Sequence, residues 1–364
     1  MSRIRWLITV LSFAAALAAS AFIVWKTWPA EGATVTLPPL AHLLGAGALV
    51  AEVLFRSWKI QLSAHALRIP LSFGAAVRVS LGGDFAASIT PSRSGAEPAR
   101  YLVLAESRVE PLGRLLILFT EILLEMFSLG IVAVLIALTF RGVGTALAGL
   151  VGLVGAYSAF VIGLGAVGLM LSRRNAHGPP PGWAVAVGLH AGRWRGVQRS
   201  LRNLRGSVDA VRHARLGAMA GALCMSVLHV VARVCVLPGL VFGARSGLTL
   251  TLATLAPLVV WPLALQYGAG VAPAPGGGGV VEAAFGATLR DAIPSRIFGA
   301  SLIWWRFYTF YAYLPLGALS AGRTVLRALR DRQERKHGRR HEIVATGEHR
   351  LPAQSAPKSA ERRA

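Results

Sequence analysis

Long apolar segments dominate the hydrophobic pattern of the chain and predict membrane-spanning helices. A helix needs about 20 apolar residues to cross the roughly 30 Å of hydrocarbon in a bilayer. Because the apolar residues are continuous instead of alternating, the pattern predicts an all-α polytopic membrane protein with about seven or eight transmembrane helices. The predicted spans are residues 6–26, 40–58, 112–140, 145–171, 216–242, 248–267 and 297–321.

The polar segments between the spans predict the orientation of the chain. Arginines concentrate in residues 172–215 and in the tail, residues 323–364, and positive residues favour the cytoplasmic side. We therefore expect a cytoplasmic basic loop and a cytoplasmic tail, disordered from about residue 338, on a membrane domain of residues 1–322 in a bacterial-type inner (plasma) membrane. Two cytoplasmic termini require an even number of crossings, so a broken segment, either 71–105 or 268–294, must supply one more.

The composition narrows the class of protein further. The 364 residues are 54% hydrophobic and 15% charged, with a mean hydropathy of +0.56, and the net charge of +22 suits contact with an anionic leaflet. No basic fold with interleaved aromatic residues is present, so nucleic acid is not an expected partner. Cys224 and Cys235 share one span and the histidines are scattered, so we expect no metal site and no cofactor. No nucleotide-binding motif is present.

Two segments rich in proline and glycine interrupt the apolar pattern. Residues 88–107 read SITPSRSGAEPARYLVLAES, and residues 272–296 read APAPGGGGVVEAAFGATLRDAIPSR. Before the first, Arg68, Pro70 and Arg78 among apolar residues predict a short interfacial helix from Ile60, followed by a partly inserted one. Broken segments at corresponding positions of two halves are typical of a transporter's substrate site, and they allow an inverted repeat.

The chemistry of a broken membrane helix suits an anion. Its first N–H groups lack partners and carry the positive end of the helix dipole, glycines let an anion approach the backbone, and arginine suits phosphate. The alternative is that these glycines and prolines serve close helix packing, or form an ordinary capped turn. No catalytic residue is assigned. The predicted substrate-binding residues are Arg93, Ser94, Gly95, Glu97, Arg100, Pro275, Gly276, Gly277, Gly279, Glu282 and Arg306.

Other ionisable residues lie inside the predicted spans, where they are costly and therefore functional candidates. Glu121 and Glu125 share one face of the third span, and Arg233 lies in the fifth, one turn after His229. Either a structural ion pair between these spans or a role coupled to protons or the headgroup is consistent with this pattern. Asp84 is a candidate helix cap. The tyrosines of the last span, taken as interfacial anchors, are Tyr308, Tyr311 and Tyr313.

Three stretches together resemble a known family. PSRSGAEPARYLVL at 91–104, APAPGGGGVVEAAF at 272–285 and RFYTFYAYLPLGALS at 306–320 are similar to the flippase-like membrane domain of the lysylphosphatidylglycerol synthase transmembrane family, over about residues 43–319. The second stretch matches the family's Pro-Gly-Gly-x-Gly pattern with a following glutamate. The first departs from it, with Gly95-Ala96 where paired glycines are usual. No aminoacyl-transferase domain is recognisable, so lipid aminoacylation is not implied.

The resemblance implies movement of an anionic phospholipid or a polyprenyl-type lipid between leaflets, without an ATPase in the chain. Two other functions stay open. One is an integral membrane enzyme acting on a lipid-linked substrate, with Glu97, Glu282 or Asp84 as acid or base. The other is an accessory scaffold of envelope lipid synthesis. The expected partners are membrane lipids with anionic headgroups and a lipid-synthesising enzyme, and the sequence leaves the oligomeric state open.

Overall fold

The computed structural model describes residues 36–140, 145–174, 214–268 apart from Ser246, and 274–324, together with isolated positions between 11 and 25 and between 179 and 198. Within these residues every regular element is helical, which confirms the all-α prediction. Most of the first predicted span, the basic loop and the tail lie outside the described residues.

The described elements are helices and short helical turns. A 3₁₀ turn at Pro91–Arg93, called the first turn below, follows the helix Phe73–Ile89. Another at Pro275–Gly277, called the second turn, precedes the helix Val280–Leu289. A π-helical turn, Phe307–Tyr311, joins the last two helices. The helices are α1 (Pro39–Ala66), α2 (Phe73–Ile89), α3 (Ala96–Glu106), α4 (Pro111–Thr139), α5 (Thr145–Arg174), α6 (Leu216–Val234), α7 (Val236–Gly243), α8 (Leu252–Gly268), α9 (Val280–Leu289), α10 (Ser295–Arg306) and α11 (residues 313–324).

Three stretches of the described residues are long and apolar enough to cross a membrane. They are Pro39–Ala66, Pro111–Thr139 and Leu216–Gly243, the last being α6 and α7 in sequence. α8 is a shorter apolar helix with Pro257 and Pro262 inside it. Large apolar side chains on the outer faces of these helices, such as Leu43 and Val134, are exposed, as expected of surfaces that face lipid. The protein is therefore a helical membrane protein.

α1 differs from the sequence prediction at its C-terminal end. The span was predicted to end near Trp58, with an interfacial helix starting at Ile60, but a single helix runs from Pro39 to Ala66. The prediction was wrong because it took Arg56 and Lys59 as markers of the water interface. Both side chains are instead buried inside the protein, so they do not end the span.

Small residues let α2 pack closely against its neighbours. A Cβ on Gly82 would lie 2.7 Å from the Cβ of Ala321 in α11, and a Cβ on Gly317 would lie 2.5 Å from the carbonyl oxygen of Leu81. Such close approach of helix backbones is common where membrane helices associate. α2 also packs against α1 and α3. This packing fixes the position of α2, whose Asp84 belongs to a buried ion cluster described next.

Candidate functional site

The two interrupted segments each consist of a 3₁₀ turn followed by an α-helix, and the two turns touch each other. In each segment the α-helix begins five residues after the turn's proline. Two successive residues of each turn have positive φ: 50° and 56° at Ser92 and Arg93, and 60° and 69° at Gly276 and Gly277. The first segment therefore places serine and arginine where the second has glycines. Ser94 and Gly95 link the first turn to α3, and Gly95 N–H donates to Thr90 Oγ1 at 2.9 Å.

Buried polar contacts hold the second segment together. Glu282 accepts the Gly279 N–H at 2.8 Å on Oε2 and Arg306 Nε at 2.7 Å on Oε1. Arg306 Nη2 also donates to the Gly276 carbonyl at 3.2 Å, and its guanidinium lies 4.7 Å from the centroid of the Phe310 ring. The sequence prediction placed Arg306 with Arg93 and Arg100 around one anion. In the structure Arg306 ends α10, and its guanidinium lies against the second turn, outside the cavity that Arg93 and Arg100 line.

Gly276 offers a direct test of this arrangement. A Cβ there would lie 1.9 Å from a ring carbon of Phe310, at a φ of +60°. We expect Gly276→Ala to lower the free energy of unfolding by about 1–2 kcal/mol for the backbone and about 1–3 kcal/mol more for the clash. Gly247→Ala is the matched control, because φ is +80° there and no contact of the added methyl within 4 Å is found in the part of the chain that the structure describes. Equal falls in the thermal unfolding midpoint in detergent for the two variants would contradict this packing.

A cavity of about 340 Å³ lies beside the first turn. Its walls come from α1, α3, α4, α5, α6 and α8, so residues far apart in sequence meet around it. Six of the predicted residues line it: Arg93, Glu97, Arg100, Glu121, Glu125 and Arg233. The other lining residues are Arg56, Ala96, Ile122, Met126, Tyr157, His229, Gln266 and Tyr267.

Arg56 forms the centre of one buried ion cluster behind the cavity. Its guanidinium is 3% exposed and pairs with Glu52, one turn earlier on α1, and with Asp84 of α2. Arg233 Nη2 lies 3.0 Å from Glu52 Oε1, and Tyr313 Oη donates to Glu52 Oε2 at 2.5 Å. These contacts join α1, α2, α6 and α11 through charged groups inside the membrane domain.

The Arg56 cluster corrects three sequence predictions. Asp84 was predicted to cap a helix, but it lies buried inside α2 because it pairs with Arg56. An ion pair of Arg233 with Glu121 or Glu125 was one of two alternatives, but Arg233 pairs with Glu52, which α1 presents to it. Tyr313 was taken as an interfacial anchor, and it is a buried donor instead.

Lys59 forms the centre of a second cluster. Its side chain is 1% exposed, and its Nζ lies 2.8 Å from Glu125 Oε2 and 3.7 Å from Glu121 Oε1. Glu121 Oε1 also lies 3.0 Å from Arg100 Nη1, which is 3.0 Å from Glu97 Oε1 as well. The second carboxylate oxygen of Glu125 accepts from Tyr267 Oη at 2.8 Å. Paired charged side chains therefore form one row that runs from α1 through α4 to α3.

Among the described residues, the charges of the two clusters balance. The cations are Arg56, Lys59, Arg93, Arg100 and Arg233, and the anions are Glu52, Asp84, Glu97, Glu121 and Glu125. Buried charges are tolerated only when they are paired and hydrogen-bonded. Removing any one member leaves an uncompensated charge inside the protein.

Several buried polar atoms around the cavity have no hydrogen-bond partner among the described residues. Arg56 Nε, Arg100 Nε and Gln266 Nε2 are donors, whereas Glu97 Oε2 and Glu121 Oε2 are acceptors. A buried polar atom without a partner costs about 1–3 kcal/mol, so these atoms point to water or a ligand in the cavity. A ligand that satisfied them would have to offer both acceptor and donor atoms.

Sequence reasoning missed Glu52, Arg56 and Lys59 as members of the site. Their spacing of four and three residues places them on one face of α1, and Glu52 stands inside an apolar run. An ionisable residue at that depth is the signal that could have revealed them.

The comparison with protein families agrees with this architecture. The family model described as the lysylphosphatidylglycerol synthase TM region matches residues 6–317, which include both turns and every residue that lines the cavity. The chain belongs to this family. As a member of it, the protein has a function related to membrane lipids. A comparison with curated proteins gives no match.

Proposed function

We propose that the protein is a transporter, and not an enzyme, that moves a lipid with an anionic headgroup between the leaflets of the membrane. The lipid is either a phospholipid or a polyprenyl-type lipid, and the protein moves it without an ATPase of its own. The observation that carries this proposal is the cavity beside the first turn, inside a helical membrane domain. It combines guanidinium groups with buried donors that have no hydrogen-bond partner among the described residues. Such a cavity suits the polar headgroup of a lipid.

The position of the charges along α1 supports a pathway through the membrane. At 1.5 Å per residue, Arg56 lies about 26 Å from the start of α1 at Pro39 and about 15 Å from its end at Ala66. The charged clusters thus lie along the body of α1 and not at either end of the helix. Ionisable side chains within a membrane domain face the bundle interior or a water-filled cavity, and they mark substrate pathways.

Access to the cavity also supports a lipid as the substrate. The side chains of Arg93 and Glu97, 37% and 41% exposed, connect it to the surface. The apolar side chains of Ile122 and Met126 on α4 also line the cavity, and Ile122 is exposed on the apolar surface of that helix. A headgroup could occupy the polar cavity while its acyl chains stayed in the bilayer along α4.

The chemistry of the lining residues defines the headgroup. Arg93 and Arg100 can donate to phosphate oxygens. Glu97 and Glu121 each present a carboxylate oxygen without a hydrogen-bond partner among the described residues, and these oxygens can accept from a hydroxyl or ammonium group. We propose a phosphate with a hydroxyl- or amine-bearing substituent, and we propose the enzyme that synthesises this lipid as a partner.

A glycine of α2 tests whether Arg100 is part of the pathway. A Cβ on Gly83 would lie 2.4 Å from Nε and 2.7 Å from Cγ of Arg100, so Gly83→Ala must displace that side chain. We expect lipid translocation in nucleotide-free proteoliposomes to fall about tenfold, the loss typical of one misplaced charged donor. Gly74→Ala on the same helix, with no atom within 4 Å of the added methyl, should translocate like the wild type. Equal rates for both variants would remove Arg100 from the pathway.

A detergent experiment separates transport from catalysis. Purified protein is incubated with headgroup-labelled phosphatidylglycerol in micelles, where no leaflets exist, and the lipid is then analysed by mass spectrometry. A transporter returns the lipid unchanged. A converted product would instead favour an enzyme with a carboxylate such as Glu97 as acid or base.

A further inference from the structure

Six ionisable side chains form a continuous row of alternating charge along the wall of the cavity. Neighbouring members of the row lie within 4 Å of each other, and each neighbouring pair is an ion pair except His229 and Glu125, which become one when the imidazole is protonated. The members come from α1, α3, α4 and α6. The row begins at a histidine, the group whose charge changes most readily near neutral pH. In order, it consists of His229, Glu125, Lys59, Glu121, Arg100 and Glu97.

The hydrogen bond of His229 fixes where a proton can bind. Its Nδ1 lies 2.7 Å from the carbonyl oxygen of Ser226, which can only accept, so Nδ1 carries a hydrogen. In neutral His229 the lone pair of Nε2 then faces Glu125 Oε1 at 3.5 Å. Two lone pairs repel each other at that position, whereas a proton on either group converts the contact into attraction. The pair is therefore built to take up one proton.

The surroundings of Glu125 contain both charge signs. Lys59 of α1 and Tyr267 of α8 donate to its two oxygens, and Glu121 lies one turn earlier on α4. The other ionisable groups that line the same cavity are Arg93 on the first turn, Glu97 and Arg100 on α3, Tyr157 on α5, Arg56 on α1 and Arg233 on α6. Glu125 is 21% exposed to the cavity, so a proton can reach it through water there.

We infer that the Glu125–His229 pair is a proton-binding site whose occupancy controls whether Arg100 is free to bind the headgroup; this inference rests on the proposed function. A proton leaves a hydronium ion in the cavity and forms an O–H bond on Glu125 or an N–H bond on His229. Either position cancels the negative charge of the pair. On release, the same bond breaks and water takes the proton.

The row of charges carries the effect of this proton from Glu125 to Arg100. Once Glu125 no longer binds the Lys59 ammonium, that ammonium turns towards Glu121, which already lies 3.7 Å away. Lys59 then competes with Arg100 for the carboxylate of Glu121, and Arg100 becomes available to a phosphate. Proton and phosphate thus bind together, and linkage requires each to strengthen the binding of the other to the same extent.

The test uses proteoliposomes containing acyl-chain-labelled phosphatidylglycerol, with a pH difference across the membrane. For one proton per lipid, each pH unit should shift the leaflet ratio of the label about tenfold at steady state. The label translocated by Glu125→Gln and by His229→Gln, at whatever rate each variant supports, should reach the same leaflet ratio with and without the gradient. His65→Gln is the control, because that histidine contacts Arg215 away from the cavity and should respond like the wild type.

The outcomes separate this inference from the proposed function. Translocation by the wild type that ignores the gradient overturns the coupling and leaves the transport proposal standing. A gradient response in Glu125→Gln overturns the assignment of the site. No translocation at any pH overturns both proposals. The wild-type arm needs no variant, so it decides the question of coupling even if both variants fail to fold.

Discussion

Replacing Arg56 with alanine should lower the free energy of unfolding by about 3–5 kcal/mol, the loss typical of breaking a buried ion pair from one side. Arg56 is 3% exposed and pairs with two carboxylates, Glu52 and Asp84, which are themselves 1% and 5% exposed. Without the guanidinium, both carboxylates would remain buried in a low-dielectric interior with less compensation. Arg233 would still pair with Glu52, so Asp84 should carry most of the penalty.

Arg78→Ala is the matched control for this prediction. Arg78 lies on α2 and also pairs with a carboxylate, Glu106, but both side chains are more than a third exposed. Exposed pairs of this kind contribute about 0–1 kcal/mol. The measurement is the free energy of unfolding in detergent or bicelles by steric trapping. Losses of similar size for Arg56→Ala and Arg78→Ala would show that the cluster is hydrated and does not hold the fold together.

Replacing Arg100 with alanine should reduce lipid translocation at least about tenfold, since a charged donor to a phosphate typically contributes about 1.5–3 kcal/mol. Arg100 lines the cavity, and its Nε has no hydrogen-bond partner among the described residues. The loss should appear in the rate of label movement between leaflets and in the amount of anionic lipid that copurifies, measured by mass spectrometry of the intact complex.

The fold of Arg100→Ala must be intact for this result to count. Insertion into the membrane and elution as a single species in size-exclusion chromatography establish that. Arg78→Ala again serves as the control, because it removes an arginine outside the cavity. Undiminished translocation and lipid binding by Arg100→Ala would exclude Arg100 from the site.

The sequence predicts the membrane class and the two interrupted segments because both depend on local properties. Proline and glycine are unfavourable in helix interiors, and they cluster in these two segments, so the turns at Pro91 and Pro275 are visible without a structure. The contact between them could be inferred only from their similar plan. The positive φ of Ser92 and Arg93 was not predictable, because neither residue type favours that conformation.

The charged clusters were harder to predict because they depend on tertiary packing. Arg56 and Lys59 stand near the end of an apolar run, where arginine and lysine usually mark the interface. Only the packing of α2, α4 and α6 against α1 shows that these side chains point inward. Arg306 shows the opposite case. The sequence suggests that it belongs with Arg93 and Arg100, but its guanidinium donates to Glu282 and to the Gly276 carbonyl of the second turn, outside the cavity.

The central claim is that this domain alone moves an anionic lipid between leaflets. The most direct measurement uses purified wild-type protein in nucleotide-free liposomes that contain acyl-chain-labelled phosphatidylglycerol in both leaflets. A membrane-impermeant reductant bleaches the label of the outer leaflet. With the protein present, we expect bleaching to proceed beyond the outer half of the label, at a rate that falls in Arg100→Ala. Bleaching that stops at the outer half, as in protein-free liposomes, would contradict the proposed function.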